Sequence, residues 1–232
     1  MKMKLCAKND FLPKSLGTLT ALYNTINNLP ELSLDDFAPA GTALVLVDLI
    51  NGFARTGLLQ SPRVAELIPE VVALIKACDR MGIVKLAFAD RHWEVSPEFE
   101  SYPPHCLVGT EETQVVDEIK EIGGYRLIPK NSTNGFLEEE FQEWLALNRR
   151  RTNFIITGDC TDICIQQFAI TLKAWFNRQN QKVRVIVPIN VIDTYDQGLH
   201  NADLMNVIAI YNMSCNGVEV VKQIGLPAEK LA

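Results

Sequence analysis

From residue 42 onward, short apolar runs alternate with longer stretches whose apolar residues return every three or four positions. Residues 42–48 (TALVLVD) carry Val and Leu without polar alternation, the pattern of a strand covered on both faces. Pro62 opens a stretch with Val64, Leu67, Ile68, Val71, Val72 and Ile75 at helical spacing, closing near Gly82. The alternation continues with strands at 83–89, 125–129, 153–157, 183–188 and, more weakly, 218–221. Helices are predicted between them at 110–122, 137–147, 162–177 and 200–211. Strands separated by helices require right-handed crossovers and a parallel sheet buried on both sides. The predicted fold class is α/β, a single doubly wound, mostly parallel six-stranded sheet with helices on both faces, in one domain over 41–232. Residues 1–40 break this rhythm with Pro13, Pro30 and Pro39 and an amphipathic stretch at 16–29. They read as an N-terminal extension with one helix, packed on the domain or on a neighbouring subunit.

Composition narrows the class. At 232 residues and 47% hydrophobic, the chain can bury a large core, which argues against disorder. A net charge of −6 lacks the basic face of a nucleic-acid binder. No apolar run approaches the roughly 20 residues of a membrane span. Lys2 and Lys4 are followed by no apolar stretch, so no signal peptide is read, and a cytoplasmic location is expected. The six cysteines, at 6, 78, 106, 160, 164 and 215, form no Cys-x-x-Cys pair and fit free thiols.

Sites in parallel sheets form at the carboxyl ends of strands. The predicted strand ends deliver Asp48, then Asp90 and His92, then Lys130, then the segment GDCTDIC ending at Cys164. A thiol at a helix N-terminus near a lysine is expected to favour the thiolate, and a carboxylate could take its proton. A buried structural cysteine is the plain alternative, and a Cys160–Cys164 redox pair a weaker one. Asp90, His92, Glu98 and His105 combine two imidazoles and two carboxylates, a set suited to Zn, Fe or Mn. A chance surface loop is the competing reading. His200 is read as capping or packing the helix it opens, Asp193 and Asp196 as capping the connection before it. Glu138–Glu140 suit the first turn of a helix, and Trp93 and Trp175 read as packing residues.

Three ordered segments, LVLVDLINGF, IPKNSTNGF and GDCTDICIQQFA, resemble those of the cysteine-hydrolase superfamily of isochorismatases and nicotinamidases. The resemblance runs from about residue 42 to 221. It implies Asp48, Lys130 and Cys164 as the catalytic set. ADRHW and YPPHC resemble the nicotinamidase metal loop, which isochorismatases and carbamoylsarcosine-type amidases lack. That implies Asp90, His92, Glu98 and His105 as ligands to one divalent ion, zinc first and iron or manganese as alternatives. Tyr102 stands where that loop usually has Trp, and Arg91 and Trp93 also depart from it.

The resemblance further implies a cis peptide before Cys160, an oxyanion hole from the backbone N–H groups of Cys160 and Cys164, and Phe53 and Tyr102 flanking a substrate ring. Homo-oligomers are implied too. The implied function is hydrolysis of nicotinamide to nicotinate and ammonia through a cysteine thioester. A related amidase for another small amide and a non-catalytic binding relative are the alternatives. A flavodoxin-like nucleotide binder ranks last, because DLINGF offers one glycine where phosphate loops need several.

Overall fold

The computed structural model describes residues 6–227. Helix α1 (Lys8–Asn27) leads through the short strand β1 (Leu32–Ser33) to β2 (Thr42–Val47). There follow α2 (Asn51–Ala54), α3 (Pro62–Met81), β3 (Val84–Asp90), α4 (Asp117–Ile122), β4 (Tyr125–Lys130), α5 (Glu139–Leu147) and β5 (Asn153–Gly158). The remaining elements are α6 (Gln166–Arg178), β6 (Arg184–Pro188), α7 (Ala202–Cys215), β7 (Glu219–Val221) and β8 (Ile224–Gly225).

Six strands form one sheet in the order β4-β3-β2-β5-β6-β7, every pairing parallel. This is the predicted α/β architecture. β2 lies at its centre with all six residues buried, and its side chains alternate between two cores. Leu44 and Leu46 join Leu67, Val71 and Ile75 of α3 and Ile119 of α4 on one face. Ala43, Val45 and Val47 join Phe141 of α5, Phe168 and Leu172 of α6 and Met213 of α7 on the other. Each large apolar side chain so buried stabilises the fold by roughly 1.5–3 kcal/mol, so the central strands are its most firmly held part. The chain moves outward through β3 and β4 on one side of β2 and through β5, β6 and β7 on the other. That reversal opens a crevice above the carboxyl ends of β2 and β5.

The two central strands meet at close quarters. Gly158, the last residue of β5, has φ 122°, and a Cβ built there would lie 1.9 Å from the Val47 carbonyl oxygen.

The segment 110–122 differs from its prediction. Only Asp117–Ile122 is helical; Glu111–Thr113 is a 3-10 turn, and Val115 pairs with Ile50 in an antiparallel bridge. Asn51 donates its backbone N–H to Gln114 O and Val116 donates to Leu49 O, so tertiary pairing overrides the helical spacing. Trp93, expected to pack, is 63% exposed. Trp175 does pack, edge-on against Phe136 and Phe176.

Within residues 6–40, Ile26 and Leu29 rest on the second core, while Leu34 and Phe37 are buried in the first. β1 pairs in parallel with β8, Leu32 opposite Ile224. Two-residue strands carry no periodicity, so the pattern does not foretell this pair. Among the described residues, no helix is long and apolar enough to cross a membrane.

Candidate active site

The carboxyl ends of β2, β3 and β4 bring Asp48, Asp90 and Lys130 together. Asp48 follows β2 in a left-handed conformation, φ 55°, and its Oδ1 accepts the Asp90 backbone N–H at 3.0 Å. Register places Asp90 opposite Lys130. Lys130 is buried, with Nζ 2.9 Å from Asp48 Oδ2, 3.1 Å from Ser132 O and 3.7 Å from Cys164 Sγ. The same ammonium pairs closely with Asp90 Oδ1. Burial alone would strip a lysine of its charge, but the two carboxylates outweigh it and hold the pKa well above the ordinary value. Asp90 mirrors this. Its burial opposes ionisation, yet the charge of Lys130 keeps its carboxyl well below the usual range.

Cys164 lies in a π-helical turn, Thr161–Ile165, rather than in the first turn of an α-helix; α6 begins at Gln166. The Ile165 N–H reaches back to Cys160 O at 3.1 Å, and such wide turns cluster at functional sites. The Asp159–Cys160 peptide bond is cis. Burial pushes the Cys164 thiol well up, Lys130 opposes this only partly, and Asp48 and Asp90 add to the rise. The resting group is therefore a neutral thiol. The thiolate expected from its helix-end position is outweighed by desolvation. Asp48 is pushed up to about 7, first by burial and then by Asp90, with Lys130 opposing. A carboxylate poised near neutrality beside a neutral thiol can accept its proton.

Asp90, His92, Glu98 and His105 converge so that one potential ligand atom from each lies within 4.8 Å of the others. His92 Nε2 is 3.5 Å from Asp90 Oδ2 and 3.6 Å from Glu98 Oε1; His105 Nε2 is 3.5 Å from Asp90 Oδ2. The other ring nitrogens are tied outward, His92 Nδ1 to Asn131 Oδ1 at 3.1 Å and His105 Nδ1 to Pro103 O at 2.8 Å. Oxygen acceptors at Nδ1 fix the proton there and leave both Nε2 lone pairs facing inward. His92 Nε2 is fully buried and has no hydrogen-bond partner among the described residues. Buried polar atoms rarely go unpaired. An orphan imidazole nitrogen among two carboxylates and a second imidazole fits a divalent cation, so the residues present suit a metal centre.

Three of the four donors, Asp90, Glu98 and His105, line one cavity of about 230 Å³ together with Cys164, and its walls also include Phe53, Tyr102, Cys160, Asp159 and Tyr195. Phe53 lies 5.8 Å and Tyr102 6.2 Å from the His105 ring, centroid to centroid. Sequence reasoning missed Asn131, which orients His92, and Tyr195, which follows β6 as the other site groups follow their strands. It also missed Asp159, a buried carboxyl whose Oδ1 has no partner among the described residues. His200 does not cap or open α7. That helix starts at Ala202 with Asn201 as its cap, while His200 Nε2 lies 2.8 Å from Asp162 Oδ2; in the connection before it, Asp193 Oδ1 accepts the Thr194 backbone N–H at 2.7 Å. Glu139 and Glu140 do sit in the first turn of α5.

A family model described as Isochorismatase domain matches residues 42–207, a span holding every strand end just described. The chain belongs to the isochorismatase domain family. Among relatives of this isochorismatase-like chain is Nicotinamidase 1 of Arabidopsis thaliana, 27% identical over 220 residues, covering 80% of this chain and 87% of that protein. The zinc complex of pyrazinamidase from Pyrococcus horikoshii superposes with a TM-score of 0.64 at 21% identity, over 78% of this chain and 99% of that one. N-carbamoylsarcosine amidase from Thermoplasma acidophilum gives 0.63 at 23% identity, over 82% and 99%. The solved structures establish the isochorismatase-like fold, and the relatives by name are amidases of more than one kind.

Proposed function

We propose that this protein hydrolyses the carboxamide of a nitrogen heterocycle, nicotinamide foremost, to the carboxylate and ammonia. The observation that carries this is the buried, unpartnered His92 Nε2 in a four-residue donor set whose other three members line the same cavity as Cys164. Asp48 takes the thiol proton of Cys164, and the thiolate attacks the amide carbon. Lys130 holds the negative charge that moves between these groups. The backbone N–H groups of Cys160 and Cys164 receive the oxyanion, where each such donor contributes about 2.7–4 kcal/mol of transition-state stabilisation. Asp48 returns the proton to the departing ammonia, and water cleaves the thioester to release acid and thiol. Asp90, His92, Glu98 and His105 would hold the divalent ion, zinc first, and a bound ion supplies a Lewis acid that positions a ring nitrogen directly or through water. Phe53 and Tyr102 flank the ring.

The reading is tested by ammonia release from purified protein given nicotinamide, before and after dialysis against a chelator. Turnover that falls with the chelator and returns with added zinc, iron or manganese is expected. Hydrolysis of a panel of other amides but not of nicotinamide would move the assignment to the second reading, an amidase for a different small amide. Tyr102 and Tyr195 in the cavity wall favour keeping that panel broad.

The rate should also depend on acidity. Asp48 must be ionised to act as base, and its carboxyl is held near pH 7. Below that value the fraction of competent enzyme falls about tenfold per pH unit, so log kcat/KM is expected to rise with slope one and level off above about pH 7. A profile flat from pH 5 to 8 would remove Asp48 from the role of base.

A further inference from the structure

The loop between β6 and α7 forms one wall of the cavity, and one histidine joins it to the turn carrying Cys164. Its stem is anchored from two helices. Arg63 of α3 donates to Asp193 Oδ1 from Nε and Nη2 at 3.1 and 3.0 Å, and Asn206 of α7 donates to the same oxygen at 2.7 Å. Its far end closes on itself as a tight hairpin, with Gln197 and His200 exchanging backbone hydrogen bonds at 3.0 and 2.9 Å. Between stem and hairpin stands Tyr195, which lines the cavity together with Gln197.

His200 is fixed from two sides. Its Nδ1 lies 2.8 Å from the Tyr195 carbonyl oxygen and its Nε2 lies 2.8 Å from Asp162 Oδ2. The other oxygen of Asp162 accepts from Thr194 Oγ1 at 2.7 Å, so Asp162, two residues before Cys164, grips the loop twice. The Tyr195 ring lies flat on this imidazole, 3.9 Å between centroids and 10° between planes. A ring whose two nitrogens are both engaged cannot turn, and a second ring stacked on it inherits its plane.

We propose that Tyr195 is a third aromatic wall of the substrate site, beside Phe53 and Tyr102, and that His200 is the positioning residue that braces it. The wall fits a planar aromatic amide. This deepens the proposed function and rests on it for the identity of the substrate. The brace itself rests on geometry alone.

The test is a double-mutant cycle of Tyr195→Ala and His200→Ala, read in steady-state kinetics and hydrogen exchange. Losing the stack, or the hydrogen bond to a charged partner that orients it, should raise KM for nicotinamide about tenfold while kcat stays within about threefold. Because the histidine acts through the tyrosine, the double variant should be no worse than Tyr195→Ala. His200→Ala should also speed amide exchange across residues 194–201, and nicotinamide should slow it in the unaltered protein. Additive effects on KM, a fall in kcat at constant KM, or unchanged exchange in His200→Ala would each overturn the brace. If the unaltered protein hydrolyses no aromatic amide, the proposed function fails, and the exchange data alone decide the brace. His200→Ala must then still speed exchange over 194–201, or the brace falls as well.

Discussion

Replacing Cys164 with alanine is expected to abolish carboxamide hydrolysis, by about 10⁴-fold or more, because removing a covalent nucleophile leaves only binding and oxyanion stabilisation. The fold should survive, since one small thiol leaves the packing of α6 with Phe168 and Leu172 untouched. Ammonia release and a thermal melt on the same preparation separate the two effects. The comparison that gives the result meaning is Cys160→Ala. Cys160 offers the proposed mechanism only its backbone N–H, which alanine also has, so that variant should stay within about tenfold of the original rate. The other buried thiols are poor rivals. Cys78 is pushed up to about 12 by burial, and Cys106 is raised by burial too and then by Asp90. Of these thiols, Cys164 is the one that touches the Lys130 ammonium, at 3.7 Å. Retention of more than a few per cent of the rate by Cys164→Ala would mean that the reaction does not pass through this sulfur.

The largest effect on stability is expected at Gly158. A methyl group there would sit 1.9 Å from the Val47 carbonyl oxygen, against backbone that cannot rotate aside, and φ 122° is closed to L side chains as well. Separating β2 from β5 would break the central pairing of the sheet, so Gly158→Ala should cost more than about 4 kcal/mol, enough to leave little folded protein. Gly82→Ala provides the control. It ends α3 at φ 74° with open space around it, and should lose only the roughly 1–2 kcal/mol of a left-handed alanine. Urea unfolding midpoints, or soluble yield where Gly158→Ala cannot be purified, measure the contrast. Comparable midpoints for the two variants would show that the strands part more easily than their contact implies.

Much of this was legible along the chain because the sheet is parallel. Buried parallel strands are continuous apolar runs, and each site group ends or follows one: Asp48, Asp90, Lys130 and, after GDCTDI, Cys164. The cluster of Asp90, His92, Glu98 and His105 was legible because two of the three histidines fall within one short loop. What stayed hidden depends on contacts between distant segments. Residues 110–116 have helical spacing, but Gln114 O and the Val116 N–H pair with Asn51 and Leu49 instead of continuing a helix. Asn131 acquires its role only when β4 lies beside β3 and His92. Tyr195 and His200 face each other across a hairpin that no periodicity marks. The rise in the Cys164 thiol stayed hidden for the same reason. Position on a helix is written in sequence, whereas desolvation depends on everything packed around the sulfur.

The pairing of β1 with β8 has a consequence for the order in which the molecule assembles. Gln223 hydrogen-bonds Glu31 across a separation of 192 residues, beside the Leu32–Ile224 bridge and the Lys222 N–H donated to Pro30 O. Contacts so far apart in the chain close a very large loop, and no local stretch can stabilise them early. They must form after β2 through β7 have already brought the two segments near each other. The N-terminal helix is therefore expected to dock late, as a strap fastened over a finished sheet. Weakening that strap should hasten unfolding more than it slows folding.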